Sequence, residues 1–460
     1  MAPKPDDARS DADLWMIYAN KIRETYFAGQ DVGTHNRIYI PPLNTQAILA
    51  GDTIEQAVTN YGVARAGDSL ITPDNPMMTF SGETYSQKCL RYLQSVQLGG
   101  VSDLGLEQIA RDRKNAITEK QTTFNQTQND AVAAYQSDPV RDPSQSFSDW
   151  VLDKYPAYGE AKDDLAGAVN SYDQIMTQIY GAGFKSLSKD QKTVAAACDA
   201  QVKSIYNMEV SAALIGSKDI VTGPKTYAPA YHISQGYPTA VKGWIRRAAD
   251  LNPPSAGFSF SSKDASNYSW AQVGYSSTRL GASVGWAPFF RAEYTYNKEK
   301  KTEDVNVGSQ SSEIKFELKA LGIQSFDIYP DNSWAPQDLK KNYPHLFASA
   351  SPDLWDPMFR ASYVVVGYNV SIKITMDKST YDKIKSSIQT ASSHSGGASA
   401  SLFGFKLNLG GNASYSEENS TDYDKVKTND SEYSFEIPAS NNTLPVLLAT
   451  LGTEVAPKNS

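Results

Sequence analysis

Hydrophobic and polar positions recur along this chain with two different periods, and the change from one to the other divides it. Over Asp11 to about Phe27, the residues Leu14, Ile17, Tyr18, Ile22 and Tyr26 fall at three- and four-residue spacing, which predicts a helix. The Pro- and Asp-rich segment before it, residues 1–12, reads as a disordered tail. Shorter helices are predicted around 53–61 and 86–97, punctuated by Pro41-Pro42 and Pro73-Asp74-Asn75-Pro76, so residues 13–100 read as mostly helical. A long polar helix follows over 102–135, capped by Ser102 or Asp103 and seamed by Leu106, Ile109, Ala110, Ala116, Ile117 and Phe124. At ~1.5 Å per residue it spans about 50 Å. Asp138-Pro139 and Asp142-Pro143 break it, a second helix is predicted near 159–180, and a third over 189–208 behind Ser188. Residues 101–215 therefore read as a long-helix bundle or hairpin, and 216–256 as a Gly-, Pro- and Tyr-rich connector with one short helix near 240–249.

Beyond 257 the period becomes two. Ala282, Val284, Trp286, Phe290, Ala292, Tyr294 and Tyr296 share one parity, and the other parity is polar, predicting one long strand nicked at Pro288. Phe403, Phe405, Leu407, Leu409, Ala413 and Tyr415 repeat the pattern, predicting a second outward strand over 403–415. Around these runs, residues 257–318 and 370–437 look like two copies of one unit. Each has a short first strand (Phe258-Ser259-Phe260; Val370 to Ile374), a polar stretch and Gly-Ala-Ser before the long strand. Each then has a charged or polar tip (298–304; 417–422) and a closing strand (312–318; 431–437). The returns, 306–313 and 424–431, are polar on both parities, so only one strand of each expected hairpin carries a stripe fit for lipid. The fold class read from these patterns is α+β and multidomain, with an N-terminal helical region and a C-terminal β-rich sheet or sandwich built from two tandem repeats.

Composition narrows the function classes. A net charge of -8 without a basic block removes the electrostatic footprint of a nucleic-acid binder. The two cysteines, Cys89 and Cys198, and the four histidines show no metal-ligand spacing, so no metal is expected. Gly181 to Ser186 lacks the spacing of a phosphate loop and reads as a helix terminator. No nucleophile elbow or carboxylate dyad stands out, so no catalytic or cofactor-binding residue is nominated and an enzyme is disfavoured. The N-terminus lacks the apolar core of a secretory signal, and no run has the length of a membrane helix. The expectation is a protein made soluble in the cytoplasm, with release by a non-classical route, in which the seven Asn-x-Ser/Thr sequons record composition rather than glycosylation.

Two amphipathic β segments attached to one sheet, with helices elsewhere, resemble in layout the perforin-like and cholesterol-dependent pore formers, in which two segments refold into membrane hairpins. Gly33-Thr34-His35 matches part of the perforin-like signature. Val32 and Asn36 depart from its flanks, and no Gly-Gly pair follows at the right distance. Those families keep the segments as helix clusters before insertion, whereas these alternate as strands. The resemblance is one of arrangement and assigns no residue a role. The leading expectation is a non-enzymatic membrane-active or pore-forming protein, homo-oligomeric in action, with Val284, Trp286, Phe290, Tyr294, Phe403, Phe405, Leu407 and Leu409 as the contacts with lipid or partner. The alternative is an intracellular glycan-binding or self-assembling protein using a surface rich in Tyr and Ser, drawn from the 27 tyrosines and seven tryptophans.

Overall fold

The computed structural model describes residues 5–455, apart from 34, 43–44, 46, 101–102, 143–144, 146, 212–224, 277–288, 297–298, 306–312, 394–398, 409–425 and 440–443. The first hundred residues form α1 (Pro5–Tyr26), β1 (Asn36–Tyr39), α2 (Gln56–Asp68), β2 (Ser69–Ile71), β3 (Phe80–Thr84) and α3 (Tyr85–Gln94). The first helix begins inside the segment expected to be a tail. The three strands went unseen because three to five residues give too little alternation to register.

Next come α4 (Leu104–Ser137), α5 (Phe147–Lys154), α6 (Pro156–Tyr180) and α7 (Ala182–Cys198). Asp103 caps α4 by accepting the backbone N–H groups of Gly105 and Leu106. At Gly181 a φ of 68° lets α6 stop and α7 start in successive residues, a conformation that costs glycine nothing. The third helix thus starts at Ala182 and not behind Ser188, whose hydroxyl instead donates to Asp173 on α6 at 2.8 Å. Tyr135, Phe147, Trp150, Val151 and Tyr158 make a small separate core where α4 turns back through α5 into α6.

The second half is ordered β4 (Asn207–Val210), β5 (Thr226–Pro229), β6 (Tyr231–Ile233), α8 (Gly236–Ala249), β7 (Ala256–Ser261), β8 (Phe290–Tyr296), β9 (Glu299–Val305), β10 (Lys315–Ala320), β11 (Gly322–Pro330), α9 (Leu339–Asn342), β12 (Met358–Tyr368), β13 (Ser371–Thr375), α10 (Lys378–Ser392), β14 (Ser399–Leu402), β15 (Phe405–Asn408), β16 (Lys427–Asn429), β17 (Ser434–Ile437) and β18 (Val446–Val455). The fold is α+β, and every strand pair among the described residues is antiparallel. An upper sheet runs β1-β18-β12-β11-β6, with β2 and β3 at its side, and a lower sheet runs β16-β17-β13-β10-β7. A third sheet, β15-β14-β8-β9, is small.

The upper and lower sheets share one register. Lys315 lies opposite Thr375, Leu318 opposite Ile372, Gly322 opposite Tyr368 and Asp327 opposite Tyr363, a single register carried from β10–β13 into β11–β12. The strands bend between the two halves, at Leu321 on one and at Asn369, with a φ of 56°, on the other. In the upper half Val364 to Val366 and Val446 to Leu451 are buried in unbroken runs, as strands covered on both faces are. In the lower half burial alternates: Phe316, Leu318, Ile372 and Ile374 point inward, while Lys315, Glu317, Lys319 and Lys373 point out. On that outer face Lys427, Glu436, Lys373 and Glu317 stand in one row of alternating charge across four strands, which favours this register over its neighbours. Helix α1 and strand β1 belong to the same core as the lower sheet.

Candidate functional site

The chain leaves the lower sheet twice, between β7 and β10 and again between β13 and β17. Both departures and both returns lie in one row. Ser261 is opposite Lys315, Lys315 is opposite Thr375, and Thr375 is opposite Ser434. Each ladder continues a step past that row in the same register, because Ser262 N–H donates to Ile314 O at 2.9 Å and Met376 N–H donates to Tyr433 O at 3.1 Å. Just beyond, the side chains of Lys263, in the turn that follows, and Glu313 are joined at 3.0 Å. The Glu313 carboxyl is held below its ordinary pKa by its hydrogen bond with Lys263.

Past this row the two excursions fold differently. The first makes two 3-10 turns, Ser262–Asn267 and Trp270–Val273, and then the β8–β9 hairpin. The second makes α10 and then the β14–β15 hairpin. The hairpins join edge to edge, Phe290 opposite Leu402 and Glu293 opposite Ser399, so the small sheet is half from each excursion. A bond from Phe403 N–H to Phe289 O, 2.6 Å, ties them again beside that edge. Helix α10, capped by Asp377 on the N–H of Thr380, packs Tyr381 and Ile384 into the common core and touches β8, β9 and β14.

These placements correct three expectations. The charged stretch expected as a tip at 298–304 is largely strand β9, because its charges meet partners across the ladder. Arg291 pairs with Asp304 at 2.7 Å, Glu293 with Lys300 at 2.9 Å, and Tyr294 donates to Glu303 at 2.8 Å. The second outward strand does not begin at Phe403. Phe403 and Gly404, with φ of 46° and 74°, form a two-residue turn between Leu402 and Phe405, the left-handed turn that suits a twisted hairpin. The polar stretch after the first strand of the second unit holds helix α10, whose signal was present: Asp377 as a cap, then Tyr381, Ile384 and Ile388 at helical spacing.

The candidate contact residues are thus dispersed. Phe290, at 0% exposure, and Phe403, at 1%, are core residues in this arrangement. Tyr294 is half-buried on β8, and its hydrogen bond to Glu303 raises its pKa. Phe405 and Leu407 lie on β15. Val284, Trp286 and Leu409 fall outside the described residues, as do the polar return 306–313 except Glu313 and the whole of the tip 417–422. Trp15 on α1 was missed, although it shares the spacing of Tyr18 and Ile22. It stacks on Phe403 with ring centroids 4.1 Å apart.

Among the described residues no group of three or more His, Cys, Asp or Glu is placed to hold a metal ion, and no helix is long and apolar enough to cross a membrane. The thiols of Cys89 and Cys198 are pushed up by burial, to about 12 and about 11, the reverse of a reactive nucleophile. Compared with protein-family models, with curated proteins and with solved structures, the chain matches none.

Proposed function

We propose that the protein is a non-enzymatic pore former that acts on lipid membranes as a homo-oligomer, its two excursions straightening into membrane hairpins. The observation that carries this reading is the shared row. Each excursion joins two neighbouring antiparallel strands, so each can become a hairpin by extending a ladder that already exists, without moving a residue within the lower sheet. The layout is that of the perforin-like pore formers, and the two units, strand to strand, are read as copies of one ancestral segment.

Carrying each register outward supports the reading further. The β7–β10 register puts its turn at Pro288, with Trp286 opposite Phe290, Val284 opposite Ala292 and Ala282 opposite Tyr294. The apolar stripe then lies on both arms beside the turn. The polar stretch 306–312 is left near the sheet, which removes the objection that the return strands are unfit for lipid. The β13–β17 register puts its turn between Gly404 and Phe405, next to the turn that the chain makes already. The existing pairing in β14–β15 differs from that register by two residues, a shift that keeps every side chain on its face. About nine residues per arm at ~3.3 Å each cover ~30 Å, the depth of the hydrocarbon layer.

Dye release from liposomes by the full-length protein tests this, with Trp286→Lys and Phe405→Lys as controls. The wild type releases dye and each variant loses at least tenfold in potency. Folded wild-type protein that releases nothing from zwitterionic, anionic and sterol-containing vesicles between pH 5 and 7.5 overturns the reading.

A further inference from the structure

We infer that α1 is an intramolecular strap, bound to both excursions at once, whose departure must precede their extension; the second half of that statement rests on the pore-forming reading. One face of α1 belongs to the fixed part of the fold. Ile17, Ala19 and Ile22 are buried, and the Tyr18 hydroxyl donates to Leu448 O on β18 at 3.0 Å.

Other contacts of α1 go to the excursions. Asp11 accepts the backbone N–H of Phe289 at 3.2 Å, Asn20 donates to the carbonyl of Ser269 at 3.2 Å, and Arg23 donates to the carbonyl of Gln272 at 3.2 Å. These are main-chain groups of the first excursion, and on the β7–β10 register, in which Ser262 and Ile314 form a hydrogen-bonded pair, the Gln272 carbonyl is one that the hairpin needs for its own ladder. Arg23 of α1 therefore competes directly with strand pairing at Gln272. Tyr268 adds a bond from its hydroxyl to Glu24 at 3.1 Å and lies under the ammonium group of Lys21.

The second excursion is held by stacking. The ring of Trp15 lies 13° from parallel with that of Phe403, and Tyr18 meets the same ring edge-on at 5.9 Å. Phe403 is the first residue of the β14–β15 turn, and its backbone N–H binds the first excursion at Phe289, the residue that Asp11 caps. One helix thus fastens the turn of one excursion and the main chain of the other at a single crossing point. Releasing either without the other breaks the Phe403–Phe289 bond.

Hydrogen exchange followed by mass spectrometry on full-length Trp15→Leu tests the strap without reference to membranes. The expected result is at least tenfold faster exchange in 290–305 and 399–408, with 315–330 and 358–368 unchanged. Wild-type protection of both hairpins, or loss of protection throughout the sheet with them, overturns the proposal. Should Trp15→Leu fail to fold, Arg23→Gln removes the guanidinium's bond to Gln272 O together with its ion pair to Glu24, and exchange over 268–276 must then rise at least threefold while the sheet stays protected; no rise overturns the strap. Dye release separates the two ideas. A loosened strap with lower-threshold leakage supports both, whereas faster exchange in a protein that never releases dye leaves the strap standing and the pore reading overturned.

Discussion

Tyr231 donates its hydroxyl hydrogen to the carboxylate of Asp68 at 2.8 Å, at a point closed to water. Asp68 ends α2 and also accepts the N–H and hydroxyl of Ser86 on α3, at 3.0 and 2.6 Å. Burial is the largest influence on it and raises its pKa, with the three donors opposing. A carboxyl whose folded pKa lies above its unfolded value contributes stability that is complete below the unfolded value, near ~3.9, and is lost as pH rises through the folded one. Asp68→Asn removes this slope. Urea unfolding at pH 4, 5, 6 and 7 will show the wild type losing ground to the variant as pH rises, and a constant difference would contradict the account.

Phe403 sets backbone strain against core packing in one residue. Its positive φ costs a non-glycine residue about 1–3 kcal/mol, whereas emptying its site costs about 3–5 kcal/mol. Packing is the larger, so Phe403→Gly and Phe403→Ala both destabilise. Alanine keeps the strain and glycine relieves it, so the alanine variant is the weaker by about 1 kcal/mol. Chemical unfolding of the pair checks the order, and a more stable alanine variant refutes it.

Gly322 stands at the bend between β10 and β11, where a β-carbon would meet the indole Nε1 of Trp244 at 1.9 Å. Gly322→Ala must displace α8 or the strand and costs at least about 1–3 kcal/mol. Trp244→Leu opens room, so the same alanine is tolerated better in that background. A double-mutant cycle by thermal unfolding reads this coupling, and strictly additive losses would show that the indole is not the obstacle.

Glu293 and Ser399 face each other where the two excursions join. Antiparallel partners lie about 4.5–5.5 Å apart at Cα, within disulfide reach. A Glu293→Cys/Ser399→Cys protein, oxidised, keeps the hairpins together and releases no dye, and reductant restores release. Full activity of the oxidised form would mean that the small sheet stays joined throughout.

How much was legible in the sequence follows from the length over which a pattern persists. The helices α4 and α6 were readable because an apolar seam recurs over several turns and Asp103 and Gly181 mark their ends. The closing strands β10 and β17 were readable because Phe316 and Leu318, or Phe435 and Ile437, alternate against charged neighbours. The hairpin turns were misplaced for a physical reason. Alternation says which face a residue takes but not where a strand reverses, and Phe403 has the same parity in the sequence as Phe405 and Leu407 although the chain places it in the turn. Trp15 was overlooked because its partner, Phe403, is far along the chain, and a helix stripe does not name what it packs against. The strands β1, at the sheet's edge, and β2, between β12 and β3, are short pieces whose pairing with β18 and β12 is decided wholly by tertiary contact.

The unbroken register from Lys315 opposite Thr375 to Asp327 opposite Tyr363 makes the two main sheets a single creased beam rather than two plates. Paired strands cannot slip by one residue without turning every side chain over, so the register on one side of the crease fixes that on the other. Opening or closing the crease at Leu321 and Asn369 therefore reaches the row of Ser261, Lys315, Thr375 and Ser434 as a change in strand tilt, delivered to both excursions in the same instant.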